Sequence, residues 1–300
     1  MTKDQVATLA TTIVFVTGAF WGLYWLPVRA LDQMGLTGAW GTVAITGAAV
    51  LLWGPLAGRR WRAVLKTDRV ALVSIALGGA AFALYSIAFV YGRVAIIILL
   101  YFLTPVWSTL IARYVMGWHT PRLRVVAIAL GLAGLAVMLS ADGTAPLPRS
   151  AGEWMGLVSG LLWSVATTGI RSRSDLGPVP AAFVFALGAA AAAAVMAPFL
   201  EPFPPLIANV GLGSVLGLSL FAGAVWWGLS VVGLMWATIR LEPARVGILL
   251  MAEVVVGAIS AALIAGEILN ITELIGGALV IAAGILEVWP VRRPSSSASA

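Results

Sequence analysis

Residues Val16-Thr17-Gly18-Ala19-Phe20-Trp21-Gly22 and residues Val158-Ser159-Gly160-Leu161-Leu162-Trp163-Ser164 carry one pattern, a glycine followed three positions later by a tryptophan. Carried forward, this register pairs Arg29 with Arg171 and Gly35 with Gly177. A later register pairs Ala95 with Ala244, Leu99 and Leu100 with Leu249 and Leu250, and Gly117 with Gly266. The chain reads as a duplication. What remains is the make-up of each half and how the two halves face each other.

Both quoted stretches lie in apolar runs. A membrane span needs about 20 apolar residues to cross roughly 30 Å of hydrocarbon. Ten runs qualify: 7–28, 36–56, 70–91, 95–116, 123–140, 151–170, 180–200, 212–238, 244–265 and 271–288. Unpaired backbone polar groups are too costly in lipid, so such runs are expected to be helices. Composition agrees: 61% of residues are hydrophobic and 10% charged, against about 25% charged in a soluble domain. Mean hydropathy is +1.02. The expected fold is an all-α polytopic membrane protein with ten transmembrane helices. Residues 1–142 make a first five-helix repeat and residues 143–291 a second. The Ser- and Ala-rich residues 292–300 are expected to form a disordered cytoplasmic tail.

Charge placement sets the expected orientation. With the N-terminus inside, the inner links and flanks hold 15 of the 18 Lys and Arg residues, and the outer side holds only Arg29, Arg93 and Arg149. The positive-inside rule then places both termini in the cytoplasm, and the expected location is a bacterial inner membrane. The first apolar run, after Lys3 and Asp4, is too long for the apolar region of a cleaved signal peptide. Five spans per half is an odd number, so the second half enters the membrane inverted. Inverted repeats are a signature of secondary transporters, whose substrates bind near the midplane where the halves meet.

Further motifs sharpen this. They are Leu103-Thr104-Pro105-Val106, Met251-Ala252-Glu253-Val254, Gly266-Glu267, and the glycines Gly276, Gly277 and Gly284. With the Gly-x-x-Trp of spans one and six, the sequence resembles the drug/metabolite transporter superfamily, in particular its ten-span members with two EamA-type repeats. The richness in Trp and Tyr makes it similar, within that superfamily, to the YddG-type exporters of aromatic amino acids. The resemblance implies a metabolite exporter working by alternating access. Family members commonly carry Glu-Pro in span nine. Here Glu253 is kept but Val254 replaces the proline, so no proline-assisted bend is expected there.

Glu253 is the single acidic residue at mid-membrane depth. Such a group costs roughly 3 kcal/mol on insertion scales and usually faces the protein interior. It is a candidate to hold a substrate amine or exchange a proton; the competing reading is a protonated carboxyl bonded to a neighbouring helix. Trp40, Trp53, Trp61, Trp118, Trp154 and Trp289 lie near span ends, as interfacial belt residues do. Trp21, Trp107, Trp163, Trp226 and Trp227 lie deeper. Trp163 and then Trp21 are the leading cavity candidates, placed across from one another by the inversion. Tyr24 and Trp25 follow Trp21 by three and four residues, broadly on its helix face, and Tyr85 and Tyr101 bring hydroxyls that can donate to a carboxylate. The substrate-binding candidates are therefore Trp163, Trp21, Tyr101, Tyr85, Trp227, Glu253, Trp25 and Trp107. Packing or lipid contact accounts equally well for about half of the rings.

Pro105, in mid-span, is a candidate hinge, because proline removes a helix hydrogen bond. The Gly-x-x-x-Gly steps at Gly18, Gly156 and Gly213, and alanines 189–194, are expected to be packing surfaces. Arg171 with Asp175, and Arg240 with Glu242, are candidate inner-gate pairs, and His119 falls in the link between spans four and five.

Several function classes recede. The chain has no Cys and one His, which leaves neither a thiolate nucleophile nor Cys- or His-rich metal ligation. No Walker-type Gly-rich loop with Lys is present, so ATP is not the direct energy source. No buried Arg or Lys awaits a phosphorylated cargo, and an intramembrane enzyme would need more reactive groups at one depth. The expected partners are a small-molecule substrate and the lipid bilayer, with no cofactor, nucleotide or nucleic acid. The leading function is export of small amphipathic metabolites, aromatic or neutral amino acids foremost. A multidrug or quaternary-ammonium exporter is the alternative.

Overall fold

A chain that must pair its own N–H and C=O groups in lipid has few options besides the helix. In the computed structural model, which describes residues 3–117, 122–141, 143, 146–204, 211–238, 240–241 and 243–288, every regular element is helical. In chain order these are α1 (Lys3–Trp21), α2 (Trp25–Gln33), α3 (Trp40–Gly58), the short α4 (Trp61–Lys66), α5 (Arg69–Tyr91), α6 (Val94–Tyr101), α7 (Thr104–Tyr114) and α8 (Arg122–Leu139). The second part holds α9 (Ala151–Arg173), α10 (Pro178–Leu200), α11 (Leu212–Ala224), a π-helical segment (Val225–Ser230), α12 (Val231–Thr238), α13 (Pro243–Leu250), α14 (Ala252–Leu263) and α15 (Ile271–Val288). Trp118, His119, Glu242, Trp289 and the tail 292–300 lie outside the described residues.

Among the described residues, seven helical stretches are long and apolar enough to cross a membrane: Asp4–Gln33, Trp40–Gly58, Arg69–Tyr91, Val94–Tyr114, Arg122–Leu139, Pro178–Leu200 and Leu212–Leu234. The protein is by that measure a polytopic α-helical membrane protein. The sixth, ninth and tenth apolar runs of the sequence fold as α9, α13–α14 and α15. The first ends in Arg171 and Arg173, and the other two supply only shorter apolar helices.

Four of the runs are interrupted, and the backbone chemistry explains two of the breaks. Pro105 has no N–H, so it cannot bond the Tyr101 carbonyl one turn back; the Thr104 hydroxyl donates to that carbonyl instead, at 2.6 Å. The ladder tightens to Leu103 N–H donating to Leu100 O, and α7 restarts with Pro105 in its first turn, where proline is tolerated. Pro105 therefore does not kink a continuous helix. It opens the second of two. Pro27 acts likewise on the first run, leaving the Leu23 carbonyl to Leu26 N–H at 3.0 Å. The ninth run tightens at Met251, where Met251 N–H donates to Ile248 O, with no proline present. The helix is interrupted there although Val254 stands in place of proline. The eighth run widens into the π segment, a rare form that often marks functional sites.

Several helix contacts recur in similar pairs. α5 lies on α9 as α12 lies on α1, and α6–α7 on α9 as α13–α14 on α1. α10 lies on α5 as α11 lies on α3, while α3 meets α10 and α8 meets α15. The match reaches single atoms. A Cβ added to Gly160 would sit 2.8 Å from the Tyr101 carbonyl oxygen, and one on Gly18 would sit 3.2 Å from Leu250 Cα. Ser164 donates to Thr104 O at 2.9 Å, and a Cβ on Gly22 would meet Glu253 O at 2.6 Å. α6 and α13 each have eight residues. Past α7 and α14 come Gly117 and Gly266, both at φ +67°, the left-handed conformation in which glycine commonly ends a helix.

The small-residue steps divide. Gly18, Gly22, Gly156 and Gly160 all let another helix approach closely, as does Ala189, whose backbone N would lie 2.8 Å from a Cβ on Gly79. Gly213 and Gly217 have nothing within 4 Å and are not a packing ridge: their face of α11 is exposed.

Candidate functional site

The broken runs converge on a buried group of rings. Phe82 of α5 is its hub, with ring centroids 4.7 Å from Trp21, 5.5 Å from Tyr85, 5.6 Å from Trp227, 6.1 Å from Phe185, and 6.2 Å from both Tyr24 and Tyr101. All six of these pairs are tilted or edge-to-face, the arrangement that ring quadrupoles favour. Tyr85 and Tyr101 stack instead, at 4.3 Å and 29°. Phe82 and Tyr85 lie three residues apart on one face of α5, while Trp21, Tyr24 and Tyr101 sit at the interruptions, where the chain turns side chains that a regular helix would separate.

Polar atoms line this cluster sparingly. The Tyr85 hydroxyl donates to Glu253 Oε1 at 3.2 Å. Glu253, 8% exposed, lies in the first turn of α14, beside the tightened step at Met251. Acidic groups are favoured at that end of a helix. On the other flank Trp227 Nε1 donates to the Tyr24 hydroxyl at 3.2 Å. That hydroxyl lies 3.3 Å from Ser86 Oγ, which in turn lies 2.8 Å from Thr42 Oγ1. A buried relay of hydroxyls thus ties α3, α5 and the break between α1 and α2 to the π segment. Aromatic faces with one carboxylate at their edge can hold an aromatic or apolar group and an attached cation.

The structure brings together Trp21, Tyr85, Tyr101, Trp227 and Glu253 from the residues singled out by sequence. Among the described residues, Trp163 reaches the cluster only through Phe185, at 5.9 Å. Phe185 and Phe82 stand between it and Trp21, and it is half-buried. Trp25 is not on the face of Trp21, because the helix breaks between them. Its Nε1 donates to Ser260 Oγ at 3.0 Å, and the Arg29 guanidinium lies 5.4 Å over its ring. Trp107 joins no ring contact among the described residues, and its buried Nε1 has no partner there. Trp226 turns away from its neighbour Trp227, stacking on Phe20 at 4.0 Å. Trp53 is no belt residue: its ring would lie 2.8 Å from a Cβ on Gly228 of the π segment. Trp61 and Trp154 are exposed at helix ends, as belt residues are.

Sequence reasoning missed Phe82, Phe185 and the Ser86–Thr42 pair, whereas Tyr24, placed by sequence on the face of Trp21, does meet that ring at 5.1 Å. The spacing of Phe82 and Tyr85 on one helix face was a signal for the first; Phe185 had none. The rings pack on one another rather than around an open space. Tyr24 and Tyr85 are fully buried, and Trp21 and Phe82 are each 9% exposed. A separate groove of about 460 Å³ lies outside the cluster between α1 and the π segment, behind the Phe20–Trp226 stack, with Val16 and Leu229 on its rim.

Five connections gather at one end of the molecule: those after α2, α5, α8, α10 and α14. Arg29 donates to the carbonyls of Phe89 and Gly92 and to Glu267, and Arg93 to Ile268 O and Glu273. Trp40 donates to Glu201 O, and the backbone N–H of Arg149 to Glu153. The hydrogen bond to Glu273 raises the pKa of Arg93 above its ordinary value. At the opposite end Arg171 and Asp175 do not pair. Arg173 instead pairs with Asp68, at 3.7 Å and well exposed, and the suggested partner of Arg240 is outside the described residues.

No family model matches the sequence, and no curated protein matches it. The chain is similar to a protein of known crystal structure at a TM-score of 0.57 and 20% identity, over 93% of this chain and 95% of that one. At that identity the likeness is one of fold alone.

Proposed function

We propose that the protein is a secondary transporter that exports small amphipathic metabolites, aromatic or neutral amino acids foremost, by alternating access. The observation that carries this reading is the Phe82-centred ring cluster with the Glu253 carboxylate at its edge, built where interrupted helices meet. In this proposal the ten runs are ten spans, arranged as two inverted five-helix repeats of the EamA type. Support comes from the like packing of α5–α9 and α1–α12, the Gly18 and Gly160 contacts, and the five connections at one end. The fold and the cluster also suit the resemblance to the drug/metabolite transporter superfamily. Both termini are assigned to the cytoplasm of a bacterial inner membrane. Arg29, Arg93 and Arg149, the three basic residues counted as outer, do lie together at the end opposite the Arg-rich links.

The substrate ring replaces ring–ring contacts of Phe82, Trp21 and Tyr101, and its amine meets Glu253. A lipophilic cation suits the same residues, because a carboxylate beside aromatic faces also holds quaternary ammonium groups. The rings and the acid bind rather than react, so no catalytic step is assigned. The test is uptake of radiolabelled tryptophan into proteoliposomes, with tetraphenylphosphonium as competitor. Saturable tryptophan uptake supports the amino-acid reading. Uptake of the cation alone selects the multidrug reading, and no uptake of either rejects both.

A further inference from the structure

At the end that gathers five connections, two arginines from the first half are held by two glutamates from the second. Arg29 Nη2 lies 3.3 Å from Glu267 Oε1. Arg93 Nη2 lies 3.1 Å from Glu273 Oε2, and its Nη1 also bonds that carboxylate. The glutamates are far from solvent, with side chains 9% and 7% exposed, and the arginines are 27% and 38% exposed. Glu267 does more than pair. It also accepts the Val94 and Ala95 N–H groups at 2.7 and 3.1 Å, so it caps the start of α6. Arg29 reaches back to Phe89 O and Gly92 O at 2.9 and 2.8 Å, fixing the turn from the other side. The turn at residues 92–95 is therefore clamped between α2 on one side and Glu267 and the start of α15 on the other.

Two short helices connect this clamp to the ring cluster. α6 has Val94 at the clamp and Tyr101, stacked on Tyr85, at its other end. α14 has Glu253, bonded to Tyr85, in its first turn, and its chain reaches Glu267 just past its last. α6 and α14 pack on each other, and both are hinged at the cluster by tightened turns, at residues 102–103 and at Met251. Anything that parts Tyr101 from Tyr85, or Tyr85 from Glu253, moves the inner ends of the two helices whose outer ends the clamp joins. A helix segment pinned at one end and hinged at the other has two discrete arrangements, pinned and released, as a gate requires.

We propose that Arg29–Glu267 and Arg93–Glu273 form a latch between the halves that holds this mouth closed, released through α6 and α14 when substrate enters the ring cluster. The latch rests on the alternating-access part of the proposed function and not on the identity of the cargo. Removing one glutamate leaves an arginine partly buried without its partner in the closed state only, so the closed state loses most.

The chain has no cysteine, so introduced cysteines are unique. Spin labels on Thr37→Cys and Ile268→Cys, both exposed on links at this end, report the width of the mouth by electron–electron distance measurement in full-length protein in nanodiscs. Without any cargo, the wild-type background is expected to give a mainly short distance. Glu267→Gln with Glu273→Gln should raise the long-distance population at least tenfold relative to the short one. The charge swap Arg93→Glu with Glu273→Arg should return most of the short population, which a fold merely damaged by mutation would not do. Unchanged distances in the double Gln variant overturn the latch, as does a swap that stays open. Loss of tryptophan uptake in wild-type protein would count against the cargo assignment while leaving these distances untouched.

Discussion

Phe82 and Glu253 divide the work of the site between them. Phe82 touches six rings and carries no polar atom, so its contribution is shape. Truncating so central a ring in a packed core costs about 3–5 kcal/mol in soluble proteins, and Phe82→Ala is expected to lose folded protein. Phe82→Leu fills most of the volume without the ring. It should stay monodisperse on size exclusion while tryptophan uptake falls at least tenfold. Glu253→Gln keeps shape and can still accept from Tyr85, but can neither ionise nor exchange a proton. It should express and fold normally and transport poorly; wild-type uptake in this variant would remove Glu253 from the mechanism. The glycines make an independent check on the packing. A Cβ on Gly79 would lie 1.9 Å from Phe185 O, whereas Gly217 has nothing within 4 Å. Gly79→Ala should lower the thermal midpoint sharply, since overpacking costs about 1–3 kcal/mol. Gly217→Ala should leave it unchanged.

Among the helices, the interruptions matter most, and the sequence announces them unevenly. Pro105 and Pro27 each remove one N–H and so mark the carbonyls at Tyr101 and Leu23 that need another donor. Only Pro105 stood out by sequence, because Pro27 lies near the end of an apolar run that reads as one continuous span. At Met251 there is no proline, and the tightening coincides with the approach of Gly18 to Leu249 and Leu250, a tertiary contact that no local pattern encodes. Trp25 shows the consequence. A face argument that assumes 3.6 residues per turn fails across residues 22–24, and the indole points to Ser260 instead of joining Trp21. The role of Thr104 is testable. Thr104→Val deletes the hydroxyl that serves Tyr101 O and should cost roughly 1 kcal/mol, read as a fall in thermal midpoint that Thr104→Ser largely restores.

For the whole molecule, hydropathy made the all-helical membrane fold legible. It could not reveal which helices meet, because α5 on α9 and α8 on α15 are contacts between segments far apart in the chain, set by shape. The candidate site was legible in part for the same reason. Tyr85, Tyr101, Trp21, Trp227 and Glu253 stand out as aromatic or charged groups deep in apolar runs, whereas Trp163 and Trp107 satisfy that criterion equally and lie at its margin or outside it. Orientation is a prediction at this scale. Impermeant maleimide added to intact spheroplasts should label Thr37→Cys and spare Ser172→Cys; the reverse pattern would invert the assignment of the termini.

The central claim is that the ring cluster beside Glu253 is a transport site, and uptake of radiolabelled tryptophan into proteoliposomes tests it most directly. Wild-type protein and Phe82→Leu should be compared at equal incorporation, with and without a proton gradient. The account predicts saturable uptake by the wild type and at least a tenfold loss in the variant. Equal uptake by the two proteins, with binding of tryptophan unaltered, would contradict it.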